Sequence, residues 1–262
     1  MDAELVRRRM AESRAEAQRL IAEGAVAVAG VVTPKAATMV TPDAVVELAR
    51  PPRRFVSRGG DKLEHALEVF AIEVAGKRAV DLGASTGGFT DCLLQRDVAQ
   101  VTAVDVGYNQ RDYRLRNHPR VVVMERTNAR TLQTGDVEGP FDVVVGDLSF
   151  ISLELVMGTI AALATDEADI VVLVKPQFEV GKEQVGRGGL VSEPELWRQA
   201  ITRITMAGAG HGLGSRGLTA SPLRGASAGN REFLLWLAHG PFMLSAKALD
   251  EALVDDAEGV AS

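Results

Sequence analysis

Short apolar runs alternate with amphipathic stretches over most of the chain, and this alternation predicts a fold of the α/β class. The apolar runs lie at 79–82, 101–104, 121–124, 141–146, 170–174, 218–220 and 232–237. Helical periodicity separates them at 62–70, after Phe89, at 151–164 and at 195–206. Strands that alternate with helices build a doubly wound, mostly parallel sheet with helices on both faces. The pattern therefore predicts a Rossmann-like sheet of seven strands.

The first 50 residues show a different pattern, which predicts a separate small α+β domain. A helix over 2–10 precedes a second helix that begins at the capping box 13–16 and ends at Gly24. Valines at 26–28 and 31–32 flank a turn at Gly30 and form a small β element. The expected parts are a domain at 1–50, a proline-marked linker at 51–57, a larger domain at 58–250 and an acidic tail at 251–262. We expect the residues after Ala246 to fray.

Composition is that of an ordinary soluble globular protein with room for a large and a small domain. Of the 262 residues, 46% are apolar and 24% are charged. The longest aliphatic run, at 170–174, is far too short to span a membrane. The charged first 20 residues contain no secretory signal, and the single cysteine, Cys92, forms no internal disulfide. We therefore expect a cytoplasmic protein without membrane contact, and we assign no metal ligands.

Charge is distributed unevenly along the chain. The net charge is −6, yet residues 1–62 contain eleven Lys and Arg against eight Asp and Glu. The remaining residues contain 18 basic against 27 acidic side chains. A basic front end suits a polyanionic partner, whereas the overall sign argues against promiscuous binding of nucleic acid.

A glycine-rich turn at 83–88 joins the strand at 79–82 to a helix, and the next strand ends at Asp105. This layout is typical of an adenosine-cofactor site at the carboxyl edge of a parallel sheet. Glycines let the backbone turn sharply and approach a ligand, and the carboxylate of Asp105 would accept hydrogen bonds from ribose hydroxyls. Asp81 would repel a pyrophosphate, so S-adenosylmethionine (SAM) fits better than NAD. The expected cofactor-binding residues are Asp81, Gly83, Ala84, Ser85, Thr86, Gly87, Gly88, Phe89, Asp105, Val106, Thr127, Asn128 and Asp147.

Four charged residues are expected to meet at the same edge of the sheet. Asp147 and Lys175 each follow an apolar run that predicts a parallel strand, and Glu232 begins the last run. If the last strand runs antiparallel to the others, its start lies at their carboxyl ends. Lys62 begins the predicted helix at 62–70, where the positive end of the helix dipole disfavours a lysine. That placement is a mild indication that Lys62 serves chemistry.

The front module resembles a known RNA-binding domain. The pattern S-R-x-x-A-x-x-L-I-x-x-G-x-V-x-V-x-G, which occupies residues 13–30, is similar to that of the S4 domain, named after the fourth protein of the small ribosomal subunit. The resemblance implies a basic face that grips structured RNA through phosphate contacts. The expected contacts are Arg7, Arg8, Arg14, Lys35 and Arg58. S4-like modules often begin with a few further basic residues, so we expect an incomplete start.

The order Lys62, Asp147, Lys175, Glu232 resembles the catalytic tetrad of FtsJ-type ribose 2′-O-methyltransferases. The matching segments are S-R-G-G-D-K, G-D-L-S-F, V-K-P-Q-F-E and N-R-E-F-L-L-W. Together with A-S-T-G-G-F, D-V-G-Y and E-R-T-N, they make the chain similar to the TlyA family from residue 2 to about 250. The resemblance implies SAM-dependent methylation of a cytidine ribose in 23S ribosomal RNA and, for the longer forms, in 16S as well. It also implies an antiparallel last strand, ribosomal subunits as partners and a monomer.

A mechanism follows as a hypothesis. An unperturbed lysine, with a pKa of about 10.4, is protonated near pH 7 and is then no base. Burial and a neighbouring ammonium lower a lysine's pKa, whereas carboxylates raise it. We expect Lys175, oriented by Asp147, to accept the 2′-OH proton, while Lys62 and Glu232 fix the ribose. Alignment of the reacting groups alone is worth roughly 7–11 kcal/mol, and extrusion of the target cytidine is expected.

Other functions fit the sequence less well. Base-amine methylation usually uses an Asn/Asp-Pro-Pro-aromatic segment where this chain has Asp147-Leu148-Ser149-Phe150. Methylation of C5 of a pyrimidine needs a cysteine nucleophile at the same edge, whereas Cys92 belongs to the helix after the glycine-rich turn. A non-catalytic RNA-binding protein with a decayed cofactor fold remains an alternative. A pore-forming haemolysin would need an export signal and a membrane-inserting stretch, and neither is visible.

Overall fold

The computed structural model describes residues 1–11, 13–22, 24–32, 35–41, 43–48 and 53–254. It divides the chain into two units, Met1–Arg54 and Phe55–Ser262. The prolines predicted to mark the linker, Pro51 and Pro52, lie outside the described residues, as does the last part of the predicted acidic tail, 255–262.

The smaller unit packs two helices against a three-stranded antiparallel sheet. Its elements are α1 (Asp2–Arg7), α2 (Arg14–Ala22), β1 (Val26–Val28), β2 (Val31–Val32) and β3 (Val46–Leu48). The strand order is β2-β1-β3, and Leu5, Ile21 and Val26 are fully buried in its core. The first helix ends three residues before the predicted boundary, because Arg9 adopts a left-handed conformation with φ of 60°. Strand β3 was not predicted, since one short Val-Glu-Leu stretch gives little periodicity.

The larger unit alternates strands and helices as the hydrophobic pattern predicted. Its helices are α3 (Arg58–Val69), α4 (Gly88–Gln95), α5 (Tyr113–Arg116), α6 (Met157–Leu163), α7 (Pro176–Glu179), α8 (Pro194–Gly210) and α9 (Ala246–Leu253). Its strands are β4 (Arg78–Leu82), β5 (Gln100–Val104), β6 (Val121–Met124), β7 (Phe141–Gly146), β8 (Ala164–Val174), β9 (Leu213–Ala220) and β10 (Phe233–His239). Short 3₁₀ turns lie at Thr134–Asp136, Leu153–Val156, Lys182–Gln184 and Arg187–Gly189.

The seven strands form one sheet in the order β6-β5-β4-β7-β8-β10-β9. Strands β4 to β8 are parallel, whereas β10 runs antiparallel to both β8 and β9. The prediction of a doubly wound, mostly parallel seven-stranded sheet with an antiparallel last strand is therefore confirmed. The chain leaves β4 toward β5 and β6 and then returns to its other side at β7. This reversal opens a crevice at the carboxyl ends of β4 and β7, where α/β folds bind ligands.

Alternate side chains of the strands supply two separate cores. Val80, Val144 and Val172 face the layer that contains α6 and α8, whereas Val143 and Val171 face the layer of α3 and α4. All five valines are fully buried, because helices cover both faces of the sheet. These two layers hold the strand ends rigidly, so side chains at the carboxyl edge have a stable base.

Three sequence predictions differ from the structure. The helix predicted at 151–164 is a 3₁₀ turn followed by α6, and Ala164 already begins β8. Helix α3 begins at Arg58, so Lys62 lies in its second turn rather than at its start. The prediction that the chain frays after Ala246 was wrong for residues 246–253, because Ser245 caps α9 and the helix buries Ala252 and Leu253 against the core.

Candidate active site

A cavity of about 520 Å³ opens where the strand order reverses, at the carboxyl ends of β4, β5 and β7. Asp105 follows β5, and its carboxylate accepts hydrogen bonds from Ser85 N at 2.7 Å and Gly107 N at 2.6 Å. These bonds join the glycine-rich turn to the loop after β5. An ionised carboxylate offers about four acceptor positions, so Asp105 retains capacity for ribose hydroxyls. The predicted cofactor residues that line this cavity are Gly83, Ser85, Asp105, Val106, Thr127, Asn128 and Asp147.

The glycines of the turn are required by the protein's own packing. Gly83 has φ of 82°, and a Cβ there would lie 2.8 Å from the carbonyl oxygen of Asp147. A Cβ at Gly88 would lie 2.2 Å from Ser57 Oγ and 2.8 Å from Gly60 N. The turn after β4 therefore fits tightly against both the end of β7 and the start of α3, which brings these three segments to one site.

A smaller cavity of about 160 Å³ adjoins the first and contains Asp81. The Asp81 side chain is fully buried, and its Oδ2 accepts a hydrogen bond of 2.6 Å from Thr90 Oγ1. Its Oδ1 has no hydrogen-bond partner among the described residues. Burial raises the pKa of Asp81 to about 7. A buried carboxylate oxygen without a donor favours a cationic ligand. The predicted residues Ala84, Thr86, Gly88 and Phe89 also line this cavity, whereas Gly87 does not.

Lys175 and Asp147 form an ion pair at the edge of the smaller cavity. Lys175 Nζ lies 2.6 Å from Asp147 Oδ1 and donates a hydrogen bond of 2.7 Å to Ser149 Oγ. Lys175 is 7% exposed and directly follows β8, while Asp147 and Ser149 follow β7. The ammonium therefore has one hydrogen-bond acceptor, Ser149, and one ion-pair partner, Asp147, and both lie in the loop after the neighbouring strand.

Lys62 and Glu232 form a second ion pair beside the first. Lys62 Nζ donates a hydrogen bond to Glu232 Oε2, and both side chains are buried. Phe233 pairs with Val174 in the antiparallel register of β10 and β8, so Glu232 lies next to Lys175 across that pair. The structure thus brings all four predicted residues together as two ion pairs, in which Lys62, Glu232 and Lys175 are buried and Asp147 is half-buried.

Sequence reasoning missed three residues that hold this site. Ser149 lies in the loop after β7 and Glu179 follows β8, and Arg111 packs beside Gly87 of the glycine-rich turn. The Arg111 guanidinium is 7% exposed, and burial lowers its pKa, although Asp81, Asp105 and Glu125 oppose this change. Ser149 and Glu179 lie inside the segments G-D-L-S-F and V-K-P-Q-F-E that carried the resemblance. Arg111 lies in a loop, where no periodicity marks it.

The cations predicted to bind RNA in the smaller unit differ in their surroundings. Arg7 and Arg8 both pair with Glu4, and their hydrogen bonds lower the pKa of Glu4 to about 2. Arg14 pairs with Asp2 at 3.0 Å but keeps 68% of its side chain exposed, and Lys35 is exposed. Arg58, in the larger unit, is half-buried at the start of α3.

Within the described part of the chain, no helix has the length and apolar character needed to cross a membrane.

Comparison with known proteins matches both units to families. Residues 55–239 match the FtsJ-like methyltransferases, and residues 2–46 match the S4 domain. The 16S/23S rRNA (cytidine-2′-O)-methyltransferase TlyA of Mycobacterium tuberculosis is 51% identical over 97% of this chain and 95% of its own length. Hemolysin A of Brachyspira hyodysenteriae is 39% identical over 85% of this chain and 92% of its own. A solved structure named as a hemolysin, from Streptococcus thermophilus, superposes with a TM-score of 0.76 at 36% identity and covers 96% of this chain and 93% of that one.

Proposed function

Because this chain belongs to the TlyA family of ribosomal RNA methyltransferases, we propose that it transfers a methyl group from SAM to a cytidine 2′-hydroxyl that its two ion pairs position. The chain is an enzyme with a methyltransferase domain. The observation that carries the catalytic assignment is the meeting of Lys62, Asp147, Lys175 and Glu232 beside the cofactor crevice. The S4 unit, which the proposal assigns to RNA binding, precedes that domain.

The residues of the crevice fit SAM. Asp105 would bind the ribose hydroxyls, and the larger cavity has the size of a nucleoside site. The unpartnered Oδ1 of buried Asp81 would accept a hydrogen bond from the ammonium of the amino-acid tail. When bound, SAM supplies a methyl group on a sulfonium, which an oxygen nucleophile attacks in line.

The ion pairs orient a proton acceptor. A neutral lysine amine has two N–H groups and one lone pair. Ser149 Oγ accepts a hydrogen bond from Lys175 Nζ and the Asp147 carboxylate lies in ion-pair contact with it, so these two groups would orient the amine and leave its lone pair for a 2′-hydroxyl. Lys62, held by Glu232, presents its remaining N–H groups to the ribose and fixes the position of the attacking oxygen.

The substrate is proposed to be cytidine in both ribosomal RNAs. The M. tuberculosis relative is named for 16S and 23S rRNA, and it aligns with 97% of this chain. The basic face of the S4 unit would select the RNA by shape, and the target nucleotide would be extruded to reach Lys175. Since ribosomes are its substrate, we place the enzyme in the cytoplasm, acting as a monomer.

The experiment uses ribosomal subunits from cells that lack this enzyme, together with radiolabelled SAM. Ribose methylation makes the adjacent phosphodiester resistant to alkali, which maps the modified cytidines. We expect Lys175→Met to lose a hundredfold or more of the rate, on the order expected for general-base loss, while SAM binding by calorimetry persists. Lys77→Met is the control, because Lys77 pairs with Asp169 at the opposite edge of the sheet. Full methylation by Lys175→Met would contradict the base assignment.

A further inference from the structure

A cavity of about 700 Å³ lies at the outer end of the sheet, between α3, the end of β9 and α9. It is separate from the two cavities assigned to the cofactor, which lie over β4, β5 and β7. None of the residues so far given a role in methyl transfer lines it. The cavity therefore has space that the proposed reaction does not yet use.

This cavity adjoins the Lys62–Glu232 ion pair. His65 follows Lys62 by one turn on α3 and lines the cavity, and Arg231 directly precedes Glu232. The loop that carries Arg224 also contacts Glu232, since a Cβ at Gly225 would lie 2.9 Å from Glu232 Oε1. In the strand order, β8 and β10 lie between the cofactor crevice and β9. The ion pair is thus flanked by the cofactor on one side and by this cavity on the other.

The lining combines cations with an apolar wall. Arg224 and Arg231 supply positive charge to the lining, and Arg224 is exposed. Leu218, Pro222 and Ala252 supply apolar surface. Among the described residues of the lining the acid is Glu251, and the Lys247 ammonium lies 3.5 Å from its carboxylate. A flat, largely apolar ring joined to a phosphate matches this combination, and each nucleotide of an RNA has both parts.

We propose that this cavity binds the nucleotide adjacent to the methylated cytidine, with Arg224 on its phosphate and its base against the apolar wall. The inference rests on the proposed function, because it takes RNA as the substrate and the Lys62–Glu232 pair as the anchor of the target ribose. It gives the enzyme a second RNA contact, independent of the S4 unit. Binding there sets the direction in which the RNA strand crosses the site.

The test compares two neutralised cations in the full-length protein with ribosomal subunits as substrate. Arg224→Gln removes a charge from the cavity, and Lys77→Gln removes one from the opposite edge of the sheet, where Lys77 pairs with Asp169. We expect Arg224→Gln to raise the KM for RNA by about five- to tenfold, as for loss of one charged hydrogen bond. Its kcat and its SAM affinity should equal those of the wild type, and Lys77→Gln should change neither of these nor the KM for RNA.

A second variant tests the cavity by volume rather than by charge. Ala248→Trp places a large ring against the lining from α9 and leaves every charge in place. We expect it to raise the KM for RNA without weakening SAM binding. An unchanged KM in both Arg224→Gln and Ala248→Trp would overturn the inference. Absence of methylation by the wild-type protein would instead refute the proposed function, so the two failures are distinguishable.

Discussion

The carboxylate of Glu179 accepts a hydrogen bond of 2.5 Å from Ser152 Oγ, and it also accepts one of 2.9 Å from Leu153 N. Glu179 is 2% exposed, and burial raises its pKa. It follows β8 by a few residues, whereas Ser152 and Leu153 follow β7. These two loops also carry Lys175 and Asp147. The hydrogen bonds of Glu179 therefore connect the two segments that carry the Lys175–Asp147 ion pair.

Removal of this carboxylate should loosen the ion pair. In Glu179→Ala the buried N–H of Leu153 loses its acceptor, so we expect the free energy of unfolding to fall by about 1–3 kcal/mol. The rate of methylation should fall as well, because Asp147 no longer holds Lys175 in one position. Glu179→Gln keeps one acceptor oxygen and should lie between the wild type and Glu179→Ala in both measurements.

Glu154→Gln is the matched control, since Glu154 lies in the same 3₁₀ turn but is 43% exposed and pairs with Arg203. Denaturant unfolding and single-turnover kinetics measure the two effects. A Glu179→Ala protein that is destabilised yet methylates at the wild-type rate would show that the hydrogen bonds of Glu179 serve stability alone.

Asp81 makes the cofactor site sensitive to pH. Burial raises its pKa from 3.8 to about 7, so below pH 7 the carboxyl of Asp81 is mostly protonated in the folded protein without cofactor. The raised pKa of Asp81 adds to the free energy of unfolding. This contribution is complete below pH 3.8 and is lost as pH rises toward 7, a change of order 4 kcal/mol. Asp81→Asn, which stays neutral, should remove this dependence from the unfolding free energy between pH 4 and 7.

SAM affinity should show the opposite slope over the same range. The ammonium of SAM favours the ionised form of Asp81, so below pH 7 each bound molecule displaces a proton and affinity rises with pH. Above about pH 8 the α-amino group itself loses its proton, and affinity should level off or fall. Calorimetry in two buffers of different ionisation enthalpy counts the released proton. A flat profile in the wild type would contradict the pairing of Asp81 with the ammonium.

These strand ends could be predicted because four of the apolar runs stop directly before a charged residue. Asp105, Asp147 and Lys175 all follow such runs, and the topology of a parallel sheet then places them at one edge. Glu232 needed one further assumption, the reversed direction of the last strand, which the resemblance supplied. The general position of the site was thus available from the sequence.

The contacts that fix the site could not be predicted in the same way. Glu179 and Ser152 are 27 positions apart, and Lys62 and Glu232 are 170 apart, so no local pattern connects them. Helix α9 was missed because its eight residues include several charges, and only its packing against the core orders it. The glycines were assigned to ligand approach, whereas their nearest neighbours are other segments of the protein.

Gly88 gives the sharpest test of this packing. A methyl group at this position would meet Ser57 Oγ at 2.2 Å and Gly60 N at 2.8 Å, so Gly88→Ala must push the start of α3 away from α4. We expect a loss of about 1–3 kcal/mol in unfolding free energy, typical of overpacking. Because α3 carries Lys62, kcat should fall more than SAM affinity. Gly135→Ala is the control, since a Cβ there has no neighbour within 4 Å. Wild-type kcat in a folded Gly88→Ala protein would show that α3 does not set the position of the Lys62–Glu232 pair.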